Sequence, residues 1–332
     1  MKYRNLTYRD IYHNFIVCEI DEKMTESLKG MQYLEKANCV LLYGYVDHEA
    51  GLSLRVIDLG EAREDEELVY FFDSDDKVDV VLRNDSLGDY EVTILTKEDT
   101  DLKERYKDKI SQMEFYYEDE DLKKIRELKA LDPFRDKDYT DDVIVYLINK
   151  SGDKEGCWCR LEELNDEGHY MAGILLNEPE NDFSCHKGDS IKIYFYKIDN
   201  KVLIISSGEI DARLKYRKLE KYIHRFIHDQ SEYNLLGVIN ALKDIKLYVP
   251  GYDEDGIFVP DLLESKDELF FPTFTSIENM HMGYGKETIV KVMPIEDILK
   301  AVNEKNLQGF VINAFSRQFI VTKDLFELFD II

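Results

Sequence analysis

The sequence predicts a multidomain α+β protein with a small, curved, β-rich domain in the middle. Its length of 332 residues exceeds the usual size of one hydrophobic core. Its 44% hydrophobic and 34% charged residues are typical of a folded globular chain. The apolar spacing changes along the chain from mixed strand and helix patterns to strands alone, and then to helices and strands again. We therefore expect three domains, at residues 1–131, 132–208 and 209–332.

The first domain is expected to begin with a strand, a helix and a second strand. Residues 15–20 and 39–46 are apolar runs of the kind that lie buried in a sheet, and residues 24–36 place apolar side chains at helical spacing. Further strands, separated by acidic or glycine-containing turns, are predicted at residues 52–59, 68–72, 78–82 and 90–95. Residues 101–131 are charge-rich and predicted to be helical apart from a break near residues 115–117, and Pro133 marks a boundary because the residue before a proline disfavours the α conformation.

The middle domain is predicted to be mostly β. Turns such as Lys187-Gly188-Asp189 separate its strand candidates, which lie at residues 143–148, 157–161, 169–176, 190–198 and 202–206. Short strands with frequent turn signals predict a strongly curved sheet or a partial barrel.

The third domain is predicted to open with two helices, at residues 210–228 and 235–242, whose apolar side chains recur at helical spacing. The strands that follow are predicted at residues 246–249, 257–259, 268–274, 289–293, 309–313 and 318–321. A helix at residues 295–303 and a last helical turn at 324–329 complete an α+β pattern.

Four blocks within residues 233–329 stand out by their order and spacing. They are Leu247-Tyr248-Val249-Pro250, Phe270-Phe271-Pro272-Thr273-Phe274-Thr275-Ser276, residues 290–294, and Gly309-Phe310-Val311-Ile312-Asn313 with Phe319-Ile320-Val321. Through these blocks, residues 233–329 resemble the SseB-like N-terminal domain family of bacteria. Where the family often continues Asn-Pro, this chain has Ala314 after Asn313. The resemblance implies an α+β module without enzymatic activity.

The middle region is similar to a family of uncharacterised bacterial domains. That family carries a tryptophan in one strand, then Gly-x-Leu-x-Asn-x-Pro, then Gly-Asp before another strand, and the matching positions here are Trp158, residues 173–179 and Gly188-Asp189. Both domain types look similar to domains found beside bacterial toxin and immunity proteins. The two resemblances together imply an immunity-like or adaptor role.

The charge balance restricts the class of partner. The chain has 43 Lys and Arg against 69 Asp and Glu, a net charge of −26. Nucleic acid and anionic membrane surfaces bind clustered basic side chains, so neither is expected as a partner. A basic protein would be attracted over long distances. The alternative explanation is that the charge serves solubility.

Other bulk features favour a cytoplasmic protein. Residues 1–10 are polar, and no segment offers the roughly 20 apolar residues of a membrane helix. The five cysteines, Cys18, Cys39, Cys157, Cys159 and Cys185, are odd in number and scattered, which is typical of reduced thiols.

Motifs for catalysis are absent from the sequence. It contains no Gly-x-Ser-x-Gly elbow, no phosphate-binding glycine loop and no dinucleotide fingerprint. We predict no catalytic residues, no cofactor and no metal ligands. The region with Cys157, Cys159 and Cys185 near His169 and His186 leaves two interpretations open, a zinc site or small apolar side chains in a sheet.

Two further patterns imitate metal sites. His224 and His228 would share one face of a helix, but a metalloprotease motif requires Glu after the first histidine, where Arg225 stands. Asp253-Glu254-Asp255-Gly256 begins like a calcium loop, but the positions that follow do not continue it, so a hairpin turn is predicted.

The acidic segment at residues 58–76 is the candidate protein-binding surface, because carboxylates surround an aromatic core there. The candidate contact residues are Glu64, Asp65, Glu66, Glu67, Tyr70, Asp73, Asp75 and Asp76. A solvated loop beside a charge-protected strand edge is the other interpretation.

The function predicted from the sequence is a non-enzymatic, protein-binding module of immunity-like or adaptor type. Two alternatives stay open. One is a hydrolase or metal-dependent enzyme whose site has no recognisable motif. The other is a secretion or stress accessory protein. An enzyme should show a deep pocket where polar groups converge, and a binding module a broad acidic or aromatic surface.

Overall fold

The computed structural model describes residues 1–62, 69–73, 78–95, 100–165, 169–198, 201–243, 245–266 and 268–329. Helices and sheets are mixed along the chain, so the predicted α+β class is confirmed. The chain forms two compact units, Met1–Asp211 and Ala212–Ile332. The finer division into three domains remains a prediction.

The first unit begins with an antiparallel sheet in the order β4-β3-β2-β1-β6, in which β5 also pairs with β3. Its strands are β1 (Phe15–Glu19), β2 (Cys39–Asp47), β3 (Gly51–Ala62), β4 (Val69–Phe71), β5 (Val81–Arg83) and β6 (Val92–Leu95). Its helices are α1 (Tyr8–Ile11), α2 (Glu22–Ser27), α3 (Thr100–Arg105), α4 (Lys107–Tyr117) and α5 (Glu120–Glu127). Short 3-10 turns occur at Tyr3–Asn5, Asn84–Leu87 and Lys129–Phe134.

Strand β2 is buried from Cys39 to Val46 because both of its faces are covered. Val40 lies on one face, in a buried cluster with Met24 of α2. Leu41 lies on the other face, in a separate cluster with Met113 of α4. The sheet therefore lies between two hydrophobic cores.

The helix predicted at residues 24–36 is correct only in its first part. Asp21 caps α2 by accepting a hydrogen bond from the backbone N–H of Met24 at 2.7 Å, and the helix ends at Ser27. Gly30 has a φ of 90° and Tyr33 a φ of 64°, which a right-handed helix does not allow. Apolar side chains continue at helical spacing after Ser27 because Leu28 is buried although it is not part of the helix.

The second half of the first unit is a closed barrel in the order β10-β11-β7-β8-β9. Its strands are β7 (Asp142–Ile148), β8 (Lys154–Asn165), β9 (Tyr170–Leu175), β10 (Ser190–Ile198) and β11 (Lys201–Ser206). Strand β11 closes the ring by pairing in parallel with β7. Ile125 of α5 and Leu131 lie in the same buried cluster as the barrel strands, which ties this helix to the barrel core.

The second unit, Ala212–Ile332, contains two small sheets and a helical layer. Its helices are α6 (Leu214–His228), α7 (Glu232–Lys243), α8 (Ile277–His281) and α9 (Ile295–Glu304), with a 3-10 turn at Lys323–Phe329. Its strands are β12 (Lys246–Glu254), β13 (Ile257–Pro260), β14 (Leu263–Ser265), β15 (Glu268–Thr273), β16 (Ile289–Pro294), β17 (Gly309–Ile312) and β18 (Phe319–Thr322). The sheets run β13-β12-β16 and β14-β15-β17-β18.

One buried cluster joins α6, α7 and α9 of the second unit to both of its sheets. Ile239 of α7, Ile298 of α9 and Phe310 of β17 all belong to it. Ser276 caps α8 by accepting a hydrogen bond from the backbone N–H of Asn279 at 3.1 Å.

Within the described ranges, none of the helices combines the length and the apolar character that crossing a membrane requires.

Candidate functional sites

The predicted acidic surface is described only in part. Tyr70 of β4 has a side chain that is 67% exposed. Asp73 has a φ of 58°, and its backbone N–H donates to Asp58 Oδ2 at 2.7 Å. Glu64, Asp65, Glu66, Glu67, Asp75 and Asp76 lie outside the described residues. The docking face at residues 58–76 therefore stays a prediction.

Asp58, at the start of that segment, is a buried structural residue. Its Oδ2 also accepts a hydrogen bond from the Tyr106 hydroxyl at 2.7 Å, and its Oδ1 accepts one from the Leu59 N–H at 2.8 Å. These bonds tie β3 to the residue that precedes α4 and to Asp73. Asp58 therefore holds β3, Tyr106 and Asp73 together.

The cysteines of the barrel lie in its hydrophobic core. Cys157 and Cys159 are completely buried on one side of β8, and Trp158 points to the other side, as strand alternation requires. Burial raises the pKa of the Cys185 thiol to about 11 and also raises the pKa of Cys159. Their surroundings favour the interpretation as small apolar side chains.

The Asp253 turn joins β12 to β13 and is a hairpin, as predicted. Asp255 and Gly256 both have positive φ values, 53° and 83°, and the Gly256 N–H donates to Asp253 Oδ1 at 3.0 Å. His224 and His228 share one side of α6, with ring centroids 4.6 Å apart. Burial lowers the pKa of His224, and Arg317 and His228 lower it further.

A buried ion network connects α5 to β8 within the first unit. The Arg126 guanidinium is fully buried and donates to both carboxylate oxygens of Asp141, from Nε at 3.0 Å and from Nη2 at 2.6 Å. His48 Nδ1 lies 2.9 Å from Asp141 Oδ2. His48 Nε2 lies 3.1 Å from Glu162 Oε1, a distance that suits an ion pair although the geometry is not that of a hydrogen bond. Positive and negative side chains therefore alternate in the order Arg126, Asp141, His48 and Glu162.

The network shifts the pKa of its members in the directions that keep them charged. Burial alone would lower the pKa of His48, but the carboxylates of Glu162 and Asp141 outweigh it and raise the pKa to about 9. Burial would raise the pKa of Asp141, but Arg126 and His48 hold it well below its usual range.

A second group of ionisable side chains, the His13 cluster, consists of His13, Glu114 and Glu118. One potential ligand atom from each residue lies within 4.8 Å of the others. His13 Nε2 is 2.5 Å from Glu118 Oε1, which also accepts a hydrogen bond from the Tyr12 hydroxyl at 2.5 Å. Among the residues that the structure describes, no other group of three His, Cys, Asp or Glu side chains meets this spacing.

Glu118 is the least exposed member of the His13 cluster, with a side chain that is 7% exposed. Burial would raise the pKa of its carboxyl group, but His13, Tyr12 and Arg126 lower it overall. Arg126 Nη1 lies 3.7 Å from Glu118 Oε1. The side chain of Glu114 is exposed, so the cluster opens towards solvent on that side.

The first unit also contains a cavity of about 530 Å³, a volume within the range of small-molecule pockets. Tyr3, Leu6 and Leu52 contribute to its apolar and aromatic wall. Arg9 also lines the cavity but is already paired, since its Nε and Nη2 donate to Asp132 at 2.7 and 2.9 Å. The cavity can enclose apolar groups, and the Arg9 guanidinium in its lining is satisfied by the protein.

The second unit exposes an apolar sheet face, formed by the outward side chains of β12, β13 and β16. Tyr252, Ile257 and Val292 are 51%, 68% and 48% exposed. Cross-strand pairing places Ile257 of β13 opposite Glu254, which follows Tyr252 by two residues in β12. It also places Val292 of β16 opposite Tyr248 of β12. Alternate residues of β12 therefore share this face, while Leu247 and Val249 point into the core on the other side.

The sequence did not reveal His13, Glu118, Arg126 or Asp141 as a group. His13 and Glu118 are 105 positions apart, so no local spacing connects them. Their proximity depends on how α1 and α4 pack against β2 and how α5 packs against β8.

Comparisons with known proteins identify no relative, since no family model, no curated protein and no solved structure matches this chain.

Proposed function

We propose that this chain is a bacterial, cytoplasmic, non-enzymatic module of immunity-like or adaptor type, and that it binds a protein through the sheet face of β12, β13 and β16. The sheet face carries the proposal, because contiguous exposed apolar side chains with a polar rim mark protein contact sites. The family resemblances of residues 233–329 and of the barrel strands support the immunity-like or adaptor type. The buried free thiols support a reducing compartment.

The proposed partner is a basic protein. Glu254 shares the sheet face with Tyr252 and Ile257, and Asp253 and Asp255 lie at the adjoining turn. An apolar and aromatic centre with a charged rim is the arrangement found in specific interfaces. The net charge of −26 adds long-range attraction for a cationic surface and repulsion for an anionic one.

The first experiment is co-purification from the native host at low and at high salt, followed by reconstitution with the purified partner. We expect a basic protein to be retained at low salt and to bind directly when both proteins are pure. Its affinity should fall as salt rises, because the exposed charges are screened. Direct binding that is insensitive to salt would contradict the basic character of the partner.

Matched substitutions then test whether the sheet face is the contact surface. Ile257→Asp places a charge in the centre of the face and should weaken binding at least about tenfold, as expected for the loss of an apolar anchor. Ile320→Asp is the control, since Ile320 is also an exposed isoleucine of the second unit, on β18. Equal affinities for the two variants would show that the partner binds elsewhere.

A further inference from the structure

We infer that the His13 cluster binds a divalent transition-metal cation, with Zn²⁺ as the best match. Neither the proposed protein contact nor any motif of the sequence involves these residues. His13 supplies an imidazole nitrogen, and Glu114 and Glu118 supply carboxylate oxygens, with the three potential ligand atoms within 4.8 Å of one another.

The imidazole of His13 is held in place by its surroundings. His13 has a φ of 60°, and its backbone N–H donates to the carbonyl of Gly44 at 2.8 Å. Gly44 is required there, because a Cβ would lie 2.1 Å from the Ile11 carbonyl oxygen. The Tyr12 ring stacks on the imidazole with centroids 3.9 Å apart. The ligand is therefore oriented before any ion arrives.

The two carboxylates are brought together by the end of α4. Glu114 and Glu118 are four residues apart, and the Glu118 N–H donates to the Glu114 carbonyl at 2.9 Å. Carboxylates at this spacing repel each other, which a cation between them reverses. Glu114 is exposed and can rotate to bring its oxygen to about 2.0–2.2 Å from a zinc ion.

The nearby guanidinium of Arg126 does not occupy the site. It donates to both oxygens of Asp141, and its distance from Glu118 Oε1 is 3.7 Å, longer than a hydrogen bond. The contacts with His13 and Tyr12 use Glu118 Oε1, and neither Glu118 Oε2 nor the two oxygens of Glu114 take part in them. These three carboxylate oxygens can therefore bind an ion.

The donor set selects the type of cation. An imidazole nitrogen favours Zn²⁺ and related transition metals, whereas Mg²⁺ and Ca²⁺ prefer oxygen ligands throughout. Three protein ligands leave a coordination position for water on the exposed side of Glu114, the arrangement of open zinc sites. We expect Zn²⁺ to bind with a 1:1 stoichiometry and Mg²⁺ to compete poorly.

The test is calorimetric titration of the full chain with Zn²⁺ after treatment with a chelator. Glu114→Gln removes one ligand from an exposed position, and Glu120→Gln is its control because it makes the same change at an exposed glutamate of α5. Glu114→Gln should weaken Zn²⁺ binding at least about tenfold, and Glu120→Gln should leave it unchanged. Equal affinities for the two variants would overturn the assignment.

Two additional variants identify the site among other zinc-binding groups. His13→Asn keeps a residue that tolerates the left-handed conformation but cannot reach the ion, so it should abolish the visible absorption of bound Co²⁺. His224→Gln removes one histidine of the pair on α6. Loss of binding in His224→Gln with binding retained in His13→Asn would assign the metal to α6 and refute the proposal.

Discussion

His48 lies between Asp141 and Glu162, and this position should make the stability of the protein depend on pH. Its pKa in the folded protein is about 9, because the two carboxylates outweigh the effect of burial. The ordinary pKa of histidine is about 6.5, so the folded state binds the proton more tightly than the unfolded state. This stabilisation, on the order of 3 kcal/mol, is complete below about pH 6.5 and is lost as pH rises through about 9.

Urea unfolding at pH values from 6 to 10 measures this dependence. In the unmodified protein the free energy of unfolding should fall across that interval, and in His48→Gln the fall should be smaller because the titrating group is gone. Lys187→Gln provides a control, since Lys187 is an exposed cation of the same unit. Identical pH profiles for the unmodified protein and His48→Gln would rule out His48 as the cause.

The residues that the sequence could predict are those whose partners are close in the chain. Ser276 caps α8 by accepting a hydrogen bond from the N–H three residues ahead, and Asp253 accepts one from Gly256 in the hairpin turn. Arg126 and Asp141 are only 15 positions apart, but nothing in the sequence indicates that a guanidinium would be buried between a helix and a barrel. The sequence does not predict the His13 cluster for the same reason, because its members are brought together by tertiary packing.

At the scale of elements, the β12–β13 hairpin depends on a glycine in the left-handed conformation. Gly256 has a φ of 83°, and a Cβ at this position would meet no atom within 4 Å. Gly256→Ala should therefore destabilise the second unit by about 1 kcal/mol through backbone strain alone. Gly88→Ala is the control, because Gly88 has a φ of −46° and a Cβ there would touch nothing closer than 3.9 Å.

Thermal unfolding followed by circular dichroism compares the two glycine variants. A lower melting temperature for Gly256→Ala, with none for Gly88→Ala, is the expected outcome. A Gly256→Ala protein as stable as the unmodified one would mean that the turn adopts another conformation in solution.

Most strands and the long helices of the second unit were predicted to within a few residues, whereas the helix at residues 24–36 was not, and the packing explains why. In barrel strand β8, side chains buried in the barrel core alternate with partly exposed ones, so the strand pattern is visible in the sequence. Residues 28–36 also place apolar side chains at helical intervals, but Leu28 and Met31 reach the core from turns around Gly30. Periodicity reports burial, and it does not distinguish a helix from a loop that is packed against a sheet.

At the scale of the whole molecule, the buried clusters predict which fragments fold. The cluster that contains Ile239, Ile298 and Phe310 lies within Ala212–Ile332, so this fragment should unfold cooperatively when expressed alone. Residues 132–208, predicted from the sequence as a domain, lack Ile125 and Leu131 of the barrel core.

A fragment of residues 132–208 would also lack Arg126 and leave Asp141 without the guanidinium that it contacts at both oxygens. Leaving one member of a buried ion pair alone costs about 3–5 kcal/mol, a large share of the stability of a small domain. We therefore expect the fragment of residues 132–208 to lack a cooperative thermal transition and residues 1–211 to show one. A cooperative transition in the shorter fragment would instead support three separate domains, with α5 attached to the barrel from outside.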